Sequence, residues 1–225
     1  PEHAVALSQK ATVTNNLGAA FSELAEHDAA LRTHRASLAT MEALVEHDPS
    51  NATWQRDRGR SFANIGATLV DLRRYDDALA SLRQALGIYR RLAHQDPSNA
   101  TGRSDVSTSL NAIAVVLRNL GRVDESLETL NEARVWCERA VEDIPDEALM
   151  HRNLGDVHVG TADAYELVGR MDEALAAARQ AVAVRRGMVE SDPANAHWSL
   201  DLAQAQTAVG RLLLQLSRAG DARPV

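Results

Sequence analysis

Side chains able to do chemistry are few in this sequence, and they stand apart from one another. Cys137 is the single cysteine among 225 residues. Eight histidines are present, yet no two form His-x-x-x-His, and none joins the cysteine at zinc-ligand spacing. His158 lies two residues from Asp156 and five from Asp163, offsets that do not share a helix face. The run His151-Arg152-Asn153-Leu154 holds an asparagine where a general base would need an aspartate. Lys10 is the only lysine, and no glycine-rich loop follows it to cradle a phosphate. We therefore expect no catalytic residue, no cofactor and no bound metal.

The bulk composition excludes further classes. Hydrophobic residues make up 45% of the chain, enough for a sizeable core, whereas aromatics are only 4%. Ala and Leu supply most of the apolar content, which suits close helix packing better than a β-sandwich. The formal charge is −7 with no long basic run, so no nucleic-acid footprint is visible. A lone cysteine cannot form an intramolecular disulfide, and no apolar stretch approaches the ~18 residues of a membrane span. With no signal peptide, a cytoplasmic location is expected. The chain begins at Pro1 rather than Met, which we read as a piece of a longer protein.

The elements that must position any site follow from an internal repeat. Pro49, Pro97, Pro145 and Pro193 stand 48 residues apart. Around three of them the wording recurs as Asp48-Pro-Ser-Asn-Ala-Thr-Trp54, Asp96-Pro-Ser-Asn-Ala-Thr-Gly102 and Asp192-Pro-Ala-Asn-Ala-His-Trp198; Ile144-Pro145-Asp146 is a worn copy. Other columns keep the same phase. Gly18, Gly66, Ala114, Ala162 and Gly210 are small, and Leu31, Leu79, Leu127 and Leu175 are all leucine. Asp57, Asp105, Asn153 and Asp201 are short and polar, which explains Asn153 without chemistry. Cys137 falls in the column of Met41 and Tyr89, on an inner helical face, where a buried structural thiol is expected.

Each 48-residue unit reads as two helices. Phe62, Ile65, Leu69 and Leu72 recur at three and four apart on the first, and Leu79, Leu82, Leu86, Tyr89 and Leu92 line one face of the second. Gly121 and Gly169 fit the turn between them, because glycine enters the left-handed region without a Cβ clash. Asp-Pro ends the second helix, and Ser98 or Asn99 caps the next. The predicted pairs are 4–25 with 27–47, 52–72 with 75–95, 100–120 with 123–143, and 147–168 with 171–191. A ninth helix at 196–217 is expected to cap the stack with a polar outer face. We read 1–225 as one repeat domain, with units at about 4–48, 49–96, 97–144 and 145–192.

The spacing within a unit resembles the tetratricopeptide repeat. Gly66, Ala78, Leu82 and Ala85 match its pattern of a small residue on the first helix and small, large and small residues on the second. Ala162, Ala174, Ala178 and Ala181 match except for Ala178, and Gly18, Ala30, His34 and Ser37 match more loosely. The usual repeat has about 34 residues, and the 14 extra ones here add about four turns, two to each helix. The opening Trp54-Gln55-Arg56-Asp57 resembles long-repeat segments beside bacterial serine/threonine kinases and other signalling domains. Trp54 and Trp198 are expected to plug the base of each lengthened hairpin.

The resemblance implies an all-α superhelical solenoid and a function: a scaffold that binds a peptide or protein partner on the concave wall lined by its first helices. Carried over by column, partner-binding candidates on that wall are Asn15, Arg60, Asn111, Arg118, Asp156, Asp163, Glu166 and Arg211. Asparagine offers a donor and an acceptor to peptide backbone, Arg118 suits an anionic group, and the acids suit a cationic one. A docking or regulatory segment of a larger signalling protein is the leading expectation. Alternatives are a self-associating, homo-oligomeric module and the accessory domain of an enzyme whose catalytic part lies elsewhere. Nucleic acid and membrane insertion are not expected.

Overall fold

Every Asp-Pro loop hands the chain from one helix to the next through an asparagine. Asn51, Asn99 and Asn195 accept hydrogen bonds on Oδ1 from the backbone N–H of Trp54, Gly102 and Trp198 at 3.1, 3.0 and 3.3 Å. Ser98 does not cap; its hydroxyl donates to Asp96 instead. The computed structural model describes residues 2–144 and 147–221, so Pro1, Pro145, Asp146 and residues 222–225 lie outside the described residues.

Among the described residues the chain is all-α, with nine helices: α1 (Glu2–Glu23), α2 (His27–His47), α3 (Ala52–Asp71), α4 (Tyr75–Gln95), α5 (Ala100–Asn119), α6 (Val123–Asp143), α7 (Ala148–Leu167), α8 (Met171–Ser191) and α9 (Ala196–Asp221). Eight have the predicted ends to within two residues, and α9 runs four residues longer. The turn column 25, 73, 121, 169 adopts positive φ in all four copies. Gly121 and Gly169 sit at 74°, while Ala25 and Arg73 occupy the same region at 58° and 57°.

The contacts divide the chain into two compact units, Pro1–Leu120 and Gly121–Val225, rather than one. In the first unit, α1 with α2 and α3 with α4 form hairpins, α2 packs on α3, and α4 packs on α5. The first helices α1, α3 and α5 also touch in sequence, whereas α2 and α4 make no comparable contact. In the second unit, α6 packs on α7, α7 and α8 form a hairpin, and α9 closes on α8.

Two small residues seven apart on each first helix let its partner approach. A β-carbon at Gly18 would lie 2.6 Å from the His34 ring, and one at Gly66 would lie 2.6 Å from Leu82 Cγ. One turn-pair earlier, Ala11 packs with Met41, and a β-carbon at Gly59 would meet Tyr89 at 2.7 Å. In the fourth repeat Gly155 lies under Arg185, and Ala162 shares a core cluster with Ala178 and Leu212 of α9. Second-helix side chains at 34 and 41, or 82 and 89, thus fill holes at 11 and 18, or 59 and 66. Ala30, Ala78, Ala133 and Ala174 are fully buried.

Cys137 is fully buried, as its column requires. Trp54 packs on the cluster of Ala11, Met41 and Leu44 at the base of the first hairpin. The outer face of α9 differs from expectation. Leu200, Leu213 and Leu214 are 55%, 44% and 60% exposed, so this helix does not end the second unit with a polar shield. Its inner face accounts for the buried positions: among the described residues, Ala205 and Leu212 are the fully buried ones of α9, and Leu212 joins the cluster of α8.

Candidate protein-binding face

Because α1, α3 and α5 adjoin one another, the first unit presents a continuous first-helix side. Arg56 of α3 donates from Nε and Nη2 to both carboxylate oxygens of Asp105 on α5, at 2.6 and 3.2 Å. This forked pair joins neighbouring first helices and raises the pKa of Arg56. Arg60 pairs with Asp57 one turn away at 3.1 Å. Behind them lies Tyr89, whose buried phenol is pushed far above its usual pKa, chiefly by loss of solvent.

Asn111 and Arg118 both lie on α5, two turns apart and half-buried. Asn111 Oδ1 is buried and receives no hydrogen bond from the protein, and Arg60 Nε is buried and donates none. Buried polar atoms are almost always paired, which makes these two atoms on adjoining first helices exceptions. Asn15 is a correction. It is only 2% exposed, because His34 Nδ1 donates to its Oδ1 at 2.7 Å, so it belongs to the hairpin core and not to a binding wall.

In the second unit three of the four predicted wall residues are engaged in ion pairs. Asp156 accepts from Arg185 Nη2 at 2.8 Å, and Nη1 of the same guanidinium donates to the Asp201 carbonyl at 2.9 Å. Arg185 therefore ties α7 to α9 from the buried position that Met41, Tyr89 and Cys137 hold elsewhere. Glu166 is paired with Arg211 and also accepts from Gln215 at 3.2 Å. The Arg211 bond holds the Glu166 carboxyl below its ordinary pKa. Asp163, half-buried, lies one turn before it. The structure thus joins Glu166 to Arg211 and leaves Asn111 and Arg118 in the other unit.

A cavity of about 600 Å³ opens in the second unit, walled by Val141, Leu154, Val184, Met188 and Trp198, with His151 and Ser191 as its polar members. Its counterpart 96 residues earlier is a cleft of about 350 Å³ lined by Gln55, Arg91 and Gln95. Gly187 and His151 stand where Arg91 and Gln55 do, which widens the later copy. His151-Arg152-Asn153-Leu154 lies inside α7, where Leu154 is buried and Arg152 reaches His197 of α9. Among the described residues, no group of three His, Cys, Asp or Glu side chains could hold a metal, and no helix is long and apolar enough to cross a membrane.

The family model described as "Tetratricopeptide repeat" matches residues 59–96. That span begins at the Gly59 hole and includes Gly66, Ala78, Leu82, Ala85 and Tyr89. No curated protein matches the sequence. Among solved structures, the crystal structure of BtubC (BKLC) from P. vanneervenii is similar with a TM-score of 0.62 at 13% identity, over 98% of this chain and 85% of that one. At this identity the likeness shows the fold alone. The hairpins, the paired small residues that let them close and the match over residues 59–96 give the chain a helical repeat fold similar to that of tetratricopeptide-repeat proteins.

Proposed function

We propose that this scaffold holds an extended peptide or a protein segment on the first-helix side of its first unit, against α3 and α5. Repeat proteins of this type are protein-interaction scaffolds, and their fold generally serves a non-catalytic role. The observation that carries the finer reading is the buried Oδ1 of Asn111 on α5 and the buried Nε of Arg60 on the adjoining α3, neither with a hydrogen-bond partner in the protein. A peptide N–H would satisfy the first and a carboxylate or carbonyl oxygen the second. Arg118, two turns along α5, extends the preference to segments bearing an acidic side chain. In the second unit Glu166 and Asp156 are already paired with arginines, so the ligand needs no cationic half to match them.

The Trp54-Gln55-Arg56-Asp57 wording supports a place within a larger signalling protein, with this chain as the docking or regulatory part. A random peptide-display selection on the immobilised chain tests the binding claim. Enriched peptides should carry Asp or Glu and should lose about tenfold or more in affinity to an Asn111→Ala, Arg118→Ala variant with an unchanged helical spectrum. Their affinity should also fall as salt rises, because exposed charge contacts are screened. Peptides that bind the variant as well as the parent would overturn the assignment.

A further inference from the structure

The base of the fourth hairpin is hollow where the base of the first is filled. In the first, Leu7 and Trp54 pack on Met41 and Leu44. The same columns in the fourth hold His151, Trp198, Arg185 and Met188. Arg185 does not fill the space that Met41 fills, because its guanidinium is drawn to the Asp156 carboxylate and the Asp201 carbonyl, at 2.8 and 2.9 Å. Gly187 completes the change. It stands where the second and third repeats have Arg91 and Arg139, and a β-carbon there would meet nothing within 4 Å. The result is the cavity of about 600 Å³ between α6, α7, α8 and α9.

We propose that this cavity binds a neutral, ring-bearing small molecule. Its volume of about 600 Å³ is about four times the roughly 150 Å³ that holds benzene, so a single partner side chain would leave most of it empty. The same volume lies within the ~300–1,000 Å³ of pockets that take whole small ligands. The walls set the chemistry. Val141, Leu154, Val184, Met188 and Trp198 are apolar, and among the described residues that line the cavity none is Arg, Lys, Asp or Glu. An ionised ligand would lose its hydration there and meet no fixed opposite charge. A flat aromatic ring can stack on the Trp198 indole and touch the Met188 thioether. His151 and Ser191 offer a hydroxyl or amide of the ligand a hydrogen bond that orients it. Water gains less, because two polar side chains give it fewer partners than the about three it usually finds when buried. The cleft of about 350 Å³ in the second repeat presents Arg91 and Gln95 instead of Gly187 and Ser191, so it should not take the same ligand. The site is independent of the peptide-binding reading, which concerns the first unit.

Fluorescence titration of the 225-residue chain with N-phenylnaphthylamine, a neutral probe that brightens in apolar surroundings, tests the site. Saturable binding of one probe per chain is expected. Gly187→Phe places a ring in the cavity from a position with open space around it, so the helical spectrum should persist while affinity falls by about tenfold or more. Gly187→Arg, which restores the residue type of Arg91 and Arg139, should act in the same direction. Leu214→Ser, on the exposed side of α9, should leave affinity unchanged. Naphthol should displace the probe, whereas naphthoate, the same ring with a carboxylate, should need about tenfold or more higher concentration. Absence of saturable binding, or binding that survives both substitutions of Gly187, overturns the site. Loss of binding in Leu214→Ser would place the probe on α9 and overturn it as well. Equal displacement by naphthol and naphthoate overturns the neutral character of the ligand.

Discussion

A β-carbon placed on Gly66 would lie 2.6 Å from Cγ of Leu82, the buried leucine that closes the second hairpin. Leu82 Cγ is a branch point held by its neighbours, so neither helix can yield cheaply. Gly66→Ala should therefore destabilise the chain: overpacking of about 1–3 kcal/mol exceeds the roughly 1 kcal/mol gained in helix propensity. Gly187→Ala, where nothing lies within 4 Å, should instead gain about 0.5–1 kcal/mol. Urea melts of both variants check the pair, and two shifts of the same sign would contradict the packing.

Ala25 and Arg73 hold the left-handed conformation that glycine supplies at 121 and 169. A Cβ there costs about 1–2 kcal/mol, partly offset by glycine's freedom in the unfolded chain. Ala25→Gly and Arg73→Gly should each stabilise by about 0.5–1 kcal/mol in thermal or denaturant melts. A loss of stability in both would show that these turns are not strained.

The turn column shows why so much of the fold is legible in the sequence. A 48-residue period repeats every break and cap, so the helices and their hairpins follow from columns alone. Departures come from single-repeat exceptions and from contacts that run off-column. Asn15 heads a column of Ala63, Asn111, Val159 and Thr207, and nothing in it signals that only the first copy faces a histidine. Glu166 and Arg211 are 45 apart, three short of the period, so a search along columns passes over their bond. Arg185 stands in an otherwise apolar column, and its two ties across α8 depend on Gly155 leaving room for the chain. The second row of small residues at Ala11, Gly59, Ser107 and Gly155 keeps phase, yet the residues in the facing column, Met41, Tyr89, Cys137 and Arg185, differ so much in size and polarity that no packing pattern shows in them. The division at residue 120 leaves no mark, since the period runs through it unbroken.

His34 couples the first hairpin to pH. Burial lowers its pKa, so the unfolded chain takes up a proton that the folded chain refuses. Its contribution is fully present above the unfolded value of 6.5 and is lost as pH falls through the lowered folded value. His158 is shifted in the same direction, again chiefly by burial. The double variant Asn15→Ala, His34→Leu reproduces the Ala63 and Leu82 pair of the second repeat. It should show a smaller loss of stability than the parent between about pH 7.5 and about pH 5.5 in denaturant titrations. An identical loss would assign the pH dependence to other groups.

Arg185 should matter more to α9 than its place on α8 suggests. Arg185→Met, which restores the residue type of Met41, removes bonds to the Asp156 carboxylate and the Asp201 carbonyl. We expect a loss of about 1.5–3 kcal/mol, the usual worth of hydrogen bonds to a charged group, together with faster amide exchange in the first half of α9. Unchanged exchange there would mean that the apolar cluster around Leu212 alone holds the helix.

The claim that matters most is that a partner lies on α3 and α5 of the first unit. Amide chemical shifts mapped on the labelled chain during titration with a selected acidic peptide test it directly. The largest shifts are expected around Arg60, Asn111 and Arg118, including the Asn111 side-chain amide, with little change at Asp156 and Glu166. Shifts confined to the second unit, or to the cavity beside Trp198, would contradict it.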